Sequence, residues 1–561
     1  MATVYVNDQP VDIGSDRLNC VQVAERAGTH VPHYCYHPAL TVVASCRMCL
    51  IEMGDLKDGK VTMVPKVFPG CQTPVKDGTV IVTGDYAKRD AANTVLPYDA
   101  KYVPGEKAKK AQADTLEGLL LNHPLDCPVC DKAGECKLQD YSFQYGRGET
   151  RLVDEKNQPP NKPELSSKIT LFTDRCIMCT RCVRFTREVT GTAELQVVSR
   201  GDRTEIDVFP GEPLENKLAG NVVDLCPVGA LGSKDFLYKQ RVWYLKSEDS
   251  VCPNCSTGCS IHLETNKDVV FRLRPRENPQ AQGHFMCDEG RYGYHYINSA
   301  ARLNRPLVRK GDLVAVPYAD AVAAVRDDFA GHVVKHPAAV WLVLSPFLTI
   351  EEAYLAATWL RQQSKQVKVT VGFVPVVGAD DAYPKDRRGN VVEPVRFTIR
   401  AEKCPNRRGV EEVVRHFEGE VIPFAAAVEA ATRGEAKAVF LTGGYPVKGT
   451  LPALPDGSTG LTLAVSDLFH GPATEHATYV FPAAAFSEKD GVFLNHANLA
   501  QRLTKAARPP QEARAEAQLF ADLGGRRGLV NGAVVRAELA AEIPYFARLA
   551  AGVPDLGVKL G

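Results

Sequence analysis

The chain has 561 residues and 17 cysteines, and every cysteine except Cys404 falls within the first 287 positions. No other feature constrains the chain so strongly. The opening residues, MATVYVNDQPV, lack a basic region followed by an apolar one, so no export signal is expected. In the reducing compartment of an unexported chain, clustered cysteines mean metal or redox chemistry, and a disulfide framework is not expected. Formal net charge is zero, which gives no support to binding of nucleic acid or of an anionic membrane surface. No apolar run approaches the roughly 18 residues needed to span a bilayer. Any work at a membrane is therefore expected to go through partners. The length suits about three or four domains of ordinary size.

The cysteines fall into four sets. The first lies in HYCYHPALTVVASCRMCLIEM, which holds Cys35, Cys46 and Cys49, with Cys71 following. Four thiolates with one close pair match what a 2Fe–2S centre requires, and a four-cysteine zinc site is the alternative. Val4, Val6, Val11 and Ile13 around a polar turn predict a hairpin. Cys20–Ala27 predicts a short helix stopped by Gly28, and Gly78–Val82 a further strand. Hairpin, helix, cysteine loop and strand together resemble the β-grasp fold of plant-type ferredoxins. Cys20 is expected as a small core residue. His33 and His37 are alternative ligands, but the cysteines fill the set, so both are expected at the surface or in support of the ligands.

The second set lies in NHPLDCPVCDKAGECKLQD: His123, Cys127, Cys130 and Cys136. Three thiolates and one imidazole satisfy either a tetrahedral zinc or an iron–sulfur cube, and this stretch alone does not choose. Residues 86–110 are polar and read as a linker or a surface excursion. Gln112–Asn122 reads as a helix ended by Pro124, with His123 on its last turn. The third set, RCIMCTRCVRF, holds Cys176, Cys179 and Cys182 at the spacing of a bacterial ferredoxin, but Thr186 stands where the next cysteine would come. Cys226, in DLCPVGAL, is the natural closing ligand. The fourth set is Cys252, Cys255, Cys259 and Cys287. Only Cys20 and Cys404 remain outside the four sets. The position of the second set, between a 2Fe–2S-like loop and a ferredoxin-like run, favours a cluster there over zinc.

Beyond residue 301 the sequence predicts an α/β domain with a mainly parallel sheet. Its strands are expected at Val340–Leu344, Ala438–Thr442 and Leu461–Val465, with a helix over Glu351–Gln363. No G-x-G-x-x-G or G-x-x-x-x-G-K-[ST] occurs, so nucleotide binding by this chain is unsupported. The stretch from Arg508 onward reads as packing helices or a partly mobile tail, with a solvated face favoured.

LLLNHPLDCPVCDKAGECKLQD, DRCIMCTRCVRF and LCPVGAL closely resemble signatures of the G-subunit family of bacterial proton-pumping NADH:quinone oxidoreductase (respiratory complex I). These are counterparts of the mitochondrial 75-kDa iron–sulfur subunit. The resemblance implies that Cys35, Cys46, Cys49 and Cys71 hold a 2Fe–2S cluster, and that His123, Cys127, Cys130 and Cys136 hold a 4Fe–4S cluster. It implies a second 4Fe–4S cluster on Cys176, Cys179, Cys182 and Cys226, and a third, found in only some members, on Cys252, Cys255, Cys259 and Cys287.

The rest resembles molybdopterin oxidoreductases more loosely, through FPAAAFSEKDGVFLNHANLAQR. It departs at Glu289, where a basic residue is usual, and in having no cysteine between Cys287 and Cys404. No molybdopterin is therefore expected, and the C-terminal part is expected to be a degenerate docking scaffold. The implied layout is a multidomain α+β and α/β chain. It comprises a β-grasp 2Fe–2S domain at 1–85, a 4Fe–4S module with one histidine and three cysteines at 86–145, and a ferredoxin-like module at 146–240. A molybdopterin-oxidoreductase-type 4Fe–4S module follows at 241–300, and the degenerate α/β domain at 301–561.

Because no flavin or NAD signature is present, the implied electron source is a partner that binds FMN and NADH. The other implied partners are a 2Fe–2S subunit, a ferredoxin-like 8Fe subunit and the quinone-module subunits, on the cytoplasmic side of the inner membrane. Neither nucleic acid nor a catalytic residue for NADH or quinone is expected. The rival readings are a formate-dehydrogenase-like molybdenum enzyme, the electron-transfer subunit of an NAD-linked hydrogenase, and a zinc-stabilised scaffold.

Overall fold

Asn7 and Asp8 take left-handed backbone conformations (φ 46° and 70°) and turn the chain between the strands Thr3–Val6 and Gln9–Asp12. A computed structural model of the chain describes residues 2–87, 95–454 and 460–561. Part of the predicted 86–110 linker therefore lies outside the described residues. The chain divides into two compact units, Met1–Trp243 with Pro384–Val392, and Tyr244–Tyr383 with Glu393–Gly561.

In the first unit, the opening hairpin joins a five-stranded sheet in the order Gln9–Asp12, Thr3–Val6, Thr79–Val82, Leu50–Lys57, Lys60–Pro69. Thr3–Val6 and Thr79–Val82 run parallel, and the other pairs are antiparallel. This is the β-grasp arrangement expected from the sequence. The helix Cys20–Arg26 starts at a capping box in which Asn19 and Gln22 satisfy each other's backbone N–H, and it buries Cys20, Val21, Val23 and Ala24. Cys20 is a core residue, as expected.

One expectation needs correction. The helix Glu106–Leu120 starts inside the predicted linker and ends before His123, so His123 stands beyond the helix and not on its last turn. Of the two placements expected for His33, burial leaves the supporting one: its Nδ1 lies 2.8 Å from the Val31 carbonyl. Two short ribbons, Ile169–Leu171 with Leu231–Ser233 and Leu195–Val198 with Glu205–Val208, frame the third cysteine set.

The second unit opens with an antiparallel meander of Lys246–Val251, Ser260–Asn266 and Val269–Pro275. Its main sheet has seven strands in the order Asp312–Ala315, Leu307–Lys310, Tyr479–Pro482, Thr462–Asp467, Ala438–Thr442, Val340–Leu344, Lys368–Val371. The last five are parallel, and the first two add an antiparallel edge. The helix Ile350–Arg361 is buried around nearly all of its surface, which explains its weak amphipathic pattern. The tail after Arg508 is not a solvated face: the helices Glu516–Leu523 and Gly532–Glu542 bury Leu519, Phe520, Val535 and Leu539 in the core beside that sheet. Among the described residues, no helix is long and apolar enough to cross a membrane.

Candidate metal centres

The first set gathers on a loop that bends through left-handed residues at Ala44 (φ 48°) and Arg47 (φ 59°), on either side of Cys46. The Cys35 N–H donates to Cys46 Sγ at 3.4 Å. Hydrogen bonds from the Cys46 and Cys71 thiols hold the Cys35 thiol far below its usual range, and one from Cys71 does the same for Cys49. The same contacts, with burial, push Cys46 and Cys71 up. Four sulfurs thus form one network, and a positively charged iron core would replace its shared protons with metal bonds.

In the second set, Cys127–Val129 forms a single tight turn, and Cys136 caps the helix Lys137–Tyr145. Burial pushes the Cys136 thiol up to about 11, against the N–H groups of Gln139 and Leu138. Cys130 is buried and Cys127 exposed. Burial also lowers the His123 imidazole to about 4, helped by Lys156 and Arg175, so its ring is neutral at pH 7. Its Nδ1 is sealed from solvent and has no hydrogen-bond partner among the described residues, which suits a metal ligand. The structure brings the three cysteines into electrostatic contact in sequence, Cys127 to Cys130 and Cys130 to Cys136. Arg175 links His123 to this group. It neighbours both His123 and Cys130, and its Nη2 donates to Asp126 at 2.8 Å. At Gly229 a Cβ would overlap Cys130 Sγ, so only glycine leaves that sulfur its place.

The third set curls through Met178 (φ 50°) and Thr180 (φ 59°), and the Met178 N–H donates to Cys176 Sγ at 3.4 Å. Cys226 ends the helix Asn221–Leu225, and Thr186 turns its hydroxyl to the Val183 carbonyl. All four cysteines line one cavity whose other walls include Leu171, Ile177, Ile206 and Val228. Burial in this apolar setting pushes Cys176 up to about 12 and Cys179 to about 11, and pushes Cys182 well above the usual thiol range. Buried thiols resist ionisation until a cation compensates them, and iron is such a cation.

In the fourth set, the Cys252 N–H donates to the Cys259 carbonyl at 2.9 Å, and Cys287 Sγ accepts from Gly290 N–H at 3.4 Å. A Cβ on Gly290 would lie 2.8 Å from Cys252 Sγ. Burial pushes Cys252 up to about 12. Glu289 pairs with Lys403 at 2.7 Å. Among the described residues, no three His, Cys, Asp or Glu side chains converge on a single metal ion. The donors of an iron–sulfur cluster would be spread over two or four irons, so all four need not meet at one point.

Sequence reasoning misses the residues that join these sets. Arg184 Nη2 donates to the carbonyls of both Cys35 (2.5 Å) and Cys179 (3.2 Å). Tyr34, fully buried with a hydroxyl that finds no partner among the described residues, neighbours both Cys46 and Cys136. The arginine stands in plain view in RCIMCTRCVRF, where the cysteine spacing alone gives it no role.

Comparison with known families defines the class first. Residues 1–86 match the 2Fe-2S iron-sulfur cluster binding domain, and 112–151 the NADH-ubiquinone oxidoreductase-G iron-sulfur binding region. Residues 166–232 match the ferredoxin-like domain of NADH-quinone oxidoreductase subunit 3, 245–299 the molybdopterin oxidoreductase Fe4S4 domain, and 418–526 molybdopterin oxidoreductase. The chain is an iron–sulfur protein with 2Fe–2S and 4Fe–4S binding domains.

Its relatives are more particular. The G subunit of NADH-quinone oxidoreductase from Rickettsia conorii is 33% identical over 366 residues, covering 64% of this chain and 49% of that protein. The mitochondrial NADH dehydrogenase [ubiquinone] iron-sulfur protein 1 of Solanum tuberosum is 36% identical over 326 residues, covering 58% and 40%. The chain is thus homologous to these G-subunit proteins, as its motifs imply, and spans about half the length of the relatives it matches. A chain of NAD+-reducing [NiFe]-hydrogenase aligns at 21% identity and a TM-score of 0.33, over 43% of this chain and 91% of that one.

Proposed function

We propose that this chain is the iron–sulfur relay subunit of a proton-pumping NADH:quinone oxidoreductase, carrying electrons from an FMN- and NADH-binding partner toward quinone. The observation that carries this reading is the sharing of side chains and backbone between donor sets. Arg184 touches Cys35 and Cys179 at once, and Gly229, three residues after Cys226, makes room for Cys130 Sγ. When bound, iron–sulfur clusters supply one-electron acceptors and donors, and splitting the hydride pair of NADH into single electrons would fall to the partner's flavin. Cys35, Cys46, Cys49 and Cys71 would hold a 2Fe–2S cluster. His123 with Cys127, Cys130 and Cys136, Cys176 with Cys179, Cys182 and Cys226, and Cys252 with Cys255, Cys259 and Cys287 would hold three 4Fe–4S clusters.

The chain's own residues set the conditions. Leu171, Ile177, Ile206 and Val228 keep water from the third set. Neutral His123 makes its ligand shell one charge less negative than four thiolates, which favours the reduced state. The five-part division at 85, 145, 240 and 300 follows these ligand sets. The further partners would be a 2Fe–2S subunit, a ferredoxin-like 8Fe subunit and the quinone-module subunits, with membrane contact through them on the cytoplasmic side.

The C-terminal sheet serves this reading as a scaffold. In open parallel sheets ligands bind at the carboxyl ends of strands where the strand order reverses. Here that point lies between Val340–Leu344 and Ala438–Thr442, and Phe347 and Tyr445, each three residues past the end of one of these strands, pack with their rings 4.9 Å apart.

Iron, zinc and molybdenum analysis, with low-temperature EPR of the dithionite-reduced chain, tests the proposal. It expects about fourteen iron atoms per chain if every set fills, with reduced-cluster signals. Zinc in place of iron without such signals, or stoichiometric molybdenum, would overturn it.

A further inference from the structure

Arg181 and Arg184 are buried charges that no carboxylate contacts among the described residues. Both occupy the short helix Arg181–Phe185, and they are 5% and 4% exposed. Neither has an ion-pair partner among the described residues. Their hydrogen bonds go to neutral acceptors: Arg184 to the carbonyls of Thr41 (2.6 Å), Cys35 (2.5 Å) and Cys179 (3.2 Å), and Arg181 to those of Tyr36 and of Leu225 (3.4 Å). The Arg181 Nε has no hydrogen-bond partner among the described residues.

Taking a guanidinium out of water is costly unless an opposite charge repays it, and carbonyl dipoles repay only part. Two such groups side by side also repel each other. The Glu188 carboxylate, nearby on the chain, accepts from Thr41 N–H and hydroxyl, and the neighbours of the pair able to become anionic include the ligand thiols: Cys179, Cys35 and Cys226 around Arg181, and Cys179 beside Arg184. An iron–sulfur cluster held by four thiolates is anionic when oxidised and gains a further negative charge on reduction.

We propose that Arg181 and Arg184 are the shared counter-ions of the first and third cysteine sets and hold both redox centres at higher midpoint potentials than their thiolates alone would set. This rests on the reading that those two sets carry clusters. Each one-electron reduction moves iron from the ferric toward the ferrous state and adds one negative charge, which the guanidinium pair stabilises. Because one pair serves two centres, removing either arginine lowers both potentials together. A merely structural role, in which the arginines tie loops through carbonyls, predicts a different pattern: lost or heterogeneous clusters, with no common shift.

The test is an EPR-monitored redox titration of the full chain with its clusters in place, comparing wild type, R184Q, R184K and R181K. R184Q removes the charge but keeps an amide that can reach carbonyls, and the lysine variants keep the charge but lose the fork. The expected result for R184Q is a fall in both midpoints, with the reduced-to-oxidised ratio at fixed ambient potential down about tenfold, or about 59 mV for a one-electron couple. R184K and R181K are expected to stay near wild type at both centres. Unmoved midpoints in R184Q with both signals present would overturn the inference. So would a shift at one centre only, or lysine variants displaced as far as the glutamine. Should R184Q lose iron, the lysine variants decide: wild-type midpoints support the charge role and displaced ones overturn it. A wild-type chain without reduced signals from these two sets would sink the cluster reading itself, whereas iron with unmoved midpoints sinks only this inference.

Discussion

At Gly229 the absence of one carbon decides whether a sulfur can stand where a cluster needs it. A Cβ there would overlap Cys130 Sγ, whereas the exposed neighbour Cys127 has no such constraint. Gly229→Ala is therefore expected to lose about four iron atoms per chain, those of the second set, while the EPR signal assigned to the first persists. Full iron content with an unchanged spectrum would mean that Cys130 is not a ligand. His123→Cys asks a different question of the same set. Burial keeps the imidazole neutral, so a thiolate in its place adds one negative charge. The cluster is expected to remain, with its midpoint lowered so that the reduced fraction at fixed potential falls about tenfold. A midpoint that stayed put or rose in the EPR titration would contradict the ligand assignment. Cys130→Ala, which removes a donor outright, is expected to lose the cluster.

At the scale of elements, the second unit depends on a buried charge cluster. Glu352, third residue of the helix Ile350–Arg361, accepts both from the Thr349 N–H that opens the helix (2.9 Å) and from Lys489 Nζ (2.8 Å). Lys489 also lies 3.5 Å from Glu516, which accepts from Ser466 Oγ at 3.2 Å. Lys489→Met would leave two buried carboxylates without their cation, at a cost of about 3–5 kcal/mol. Urea unfolding followed by the fluorescence of Trp341 and Trp359, both in this unit, measures it. A loss below about 1 kcal/mol would show that the cluster is not a coupled charge site.

The same cluster gives a pH dependence. Burial raises the Glu516 carboxyl to about 7, with Glu352 adding to the shift and Lys489 opposing it. The folded unit thus holds a proton that the unfolded chain has released. This stabilisation is complete below the ordinary carboxylate range and is lost as pH rises through about 7. The urea midpoint is expected to fall between about pH 5 and pH 7.5, and Glu516→Gln to flatten that fall. An equal slope in the variant would assign it to other groups, Asp467 first, which burial raises to about 6.

Periodicity finds the helix Ile350–Arg361 and the strands it covers, but a contact between residues 352 and 489 leaves no local trace in a sequence. The hairpin Leu50–Lys57 with Lys60–Pro69 is hidden for another reason. Its Asp58-Gly59 turn is visible, but an irregular register between Glu52 and Gly54 breaks the alternation that marks a strand.

At the scale of the molecule, the chemistry is legible because ligands are spaced locally, as in Cys176, Cys179 and Cys182. What balances that chemistry is not, since Arg184 meets Cys35 across 149 residues. The two units also differ in how far their cores rely on the ligands. Cys49 and Cys71 belong to the apolar core of the β-grasp sheet, packed with Val4, Val21 and Ile51, whereas the core around Leu342, Phe440 and Phe520 contains no ligand cysteine. Ligand binding that is coupled to folding stabilises only the structure that contains the site. Stripping the iron with a chelator under anaerobic conditions is therefore expected to expose Leu50–Lys57 and Thr79–Val82 to hydrogen exchange at least tenfold faster, which is about 1.4 kcal/mol of lost protection. Val340–Leu344 and Ala438–Thr442 are expected to keep their protection. Equal loss in both sheets, read by mass spectrometry of the corresponding peptides, would show that the second core also depends on its cluster, and an unchanged β-grasp sheet would show that Cys49 and Cys71 are core residues first and ligands second.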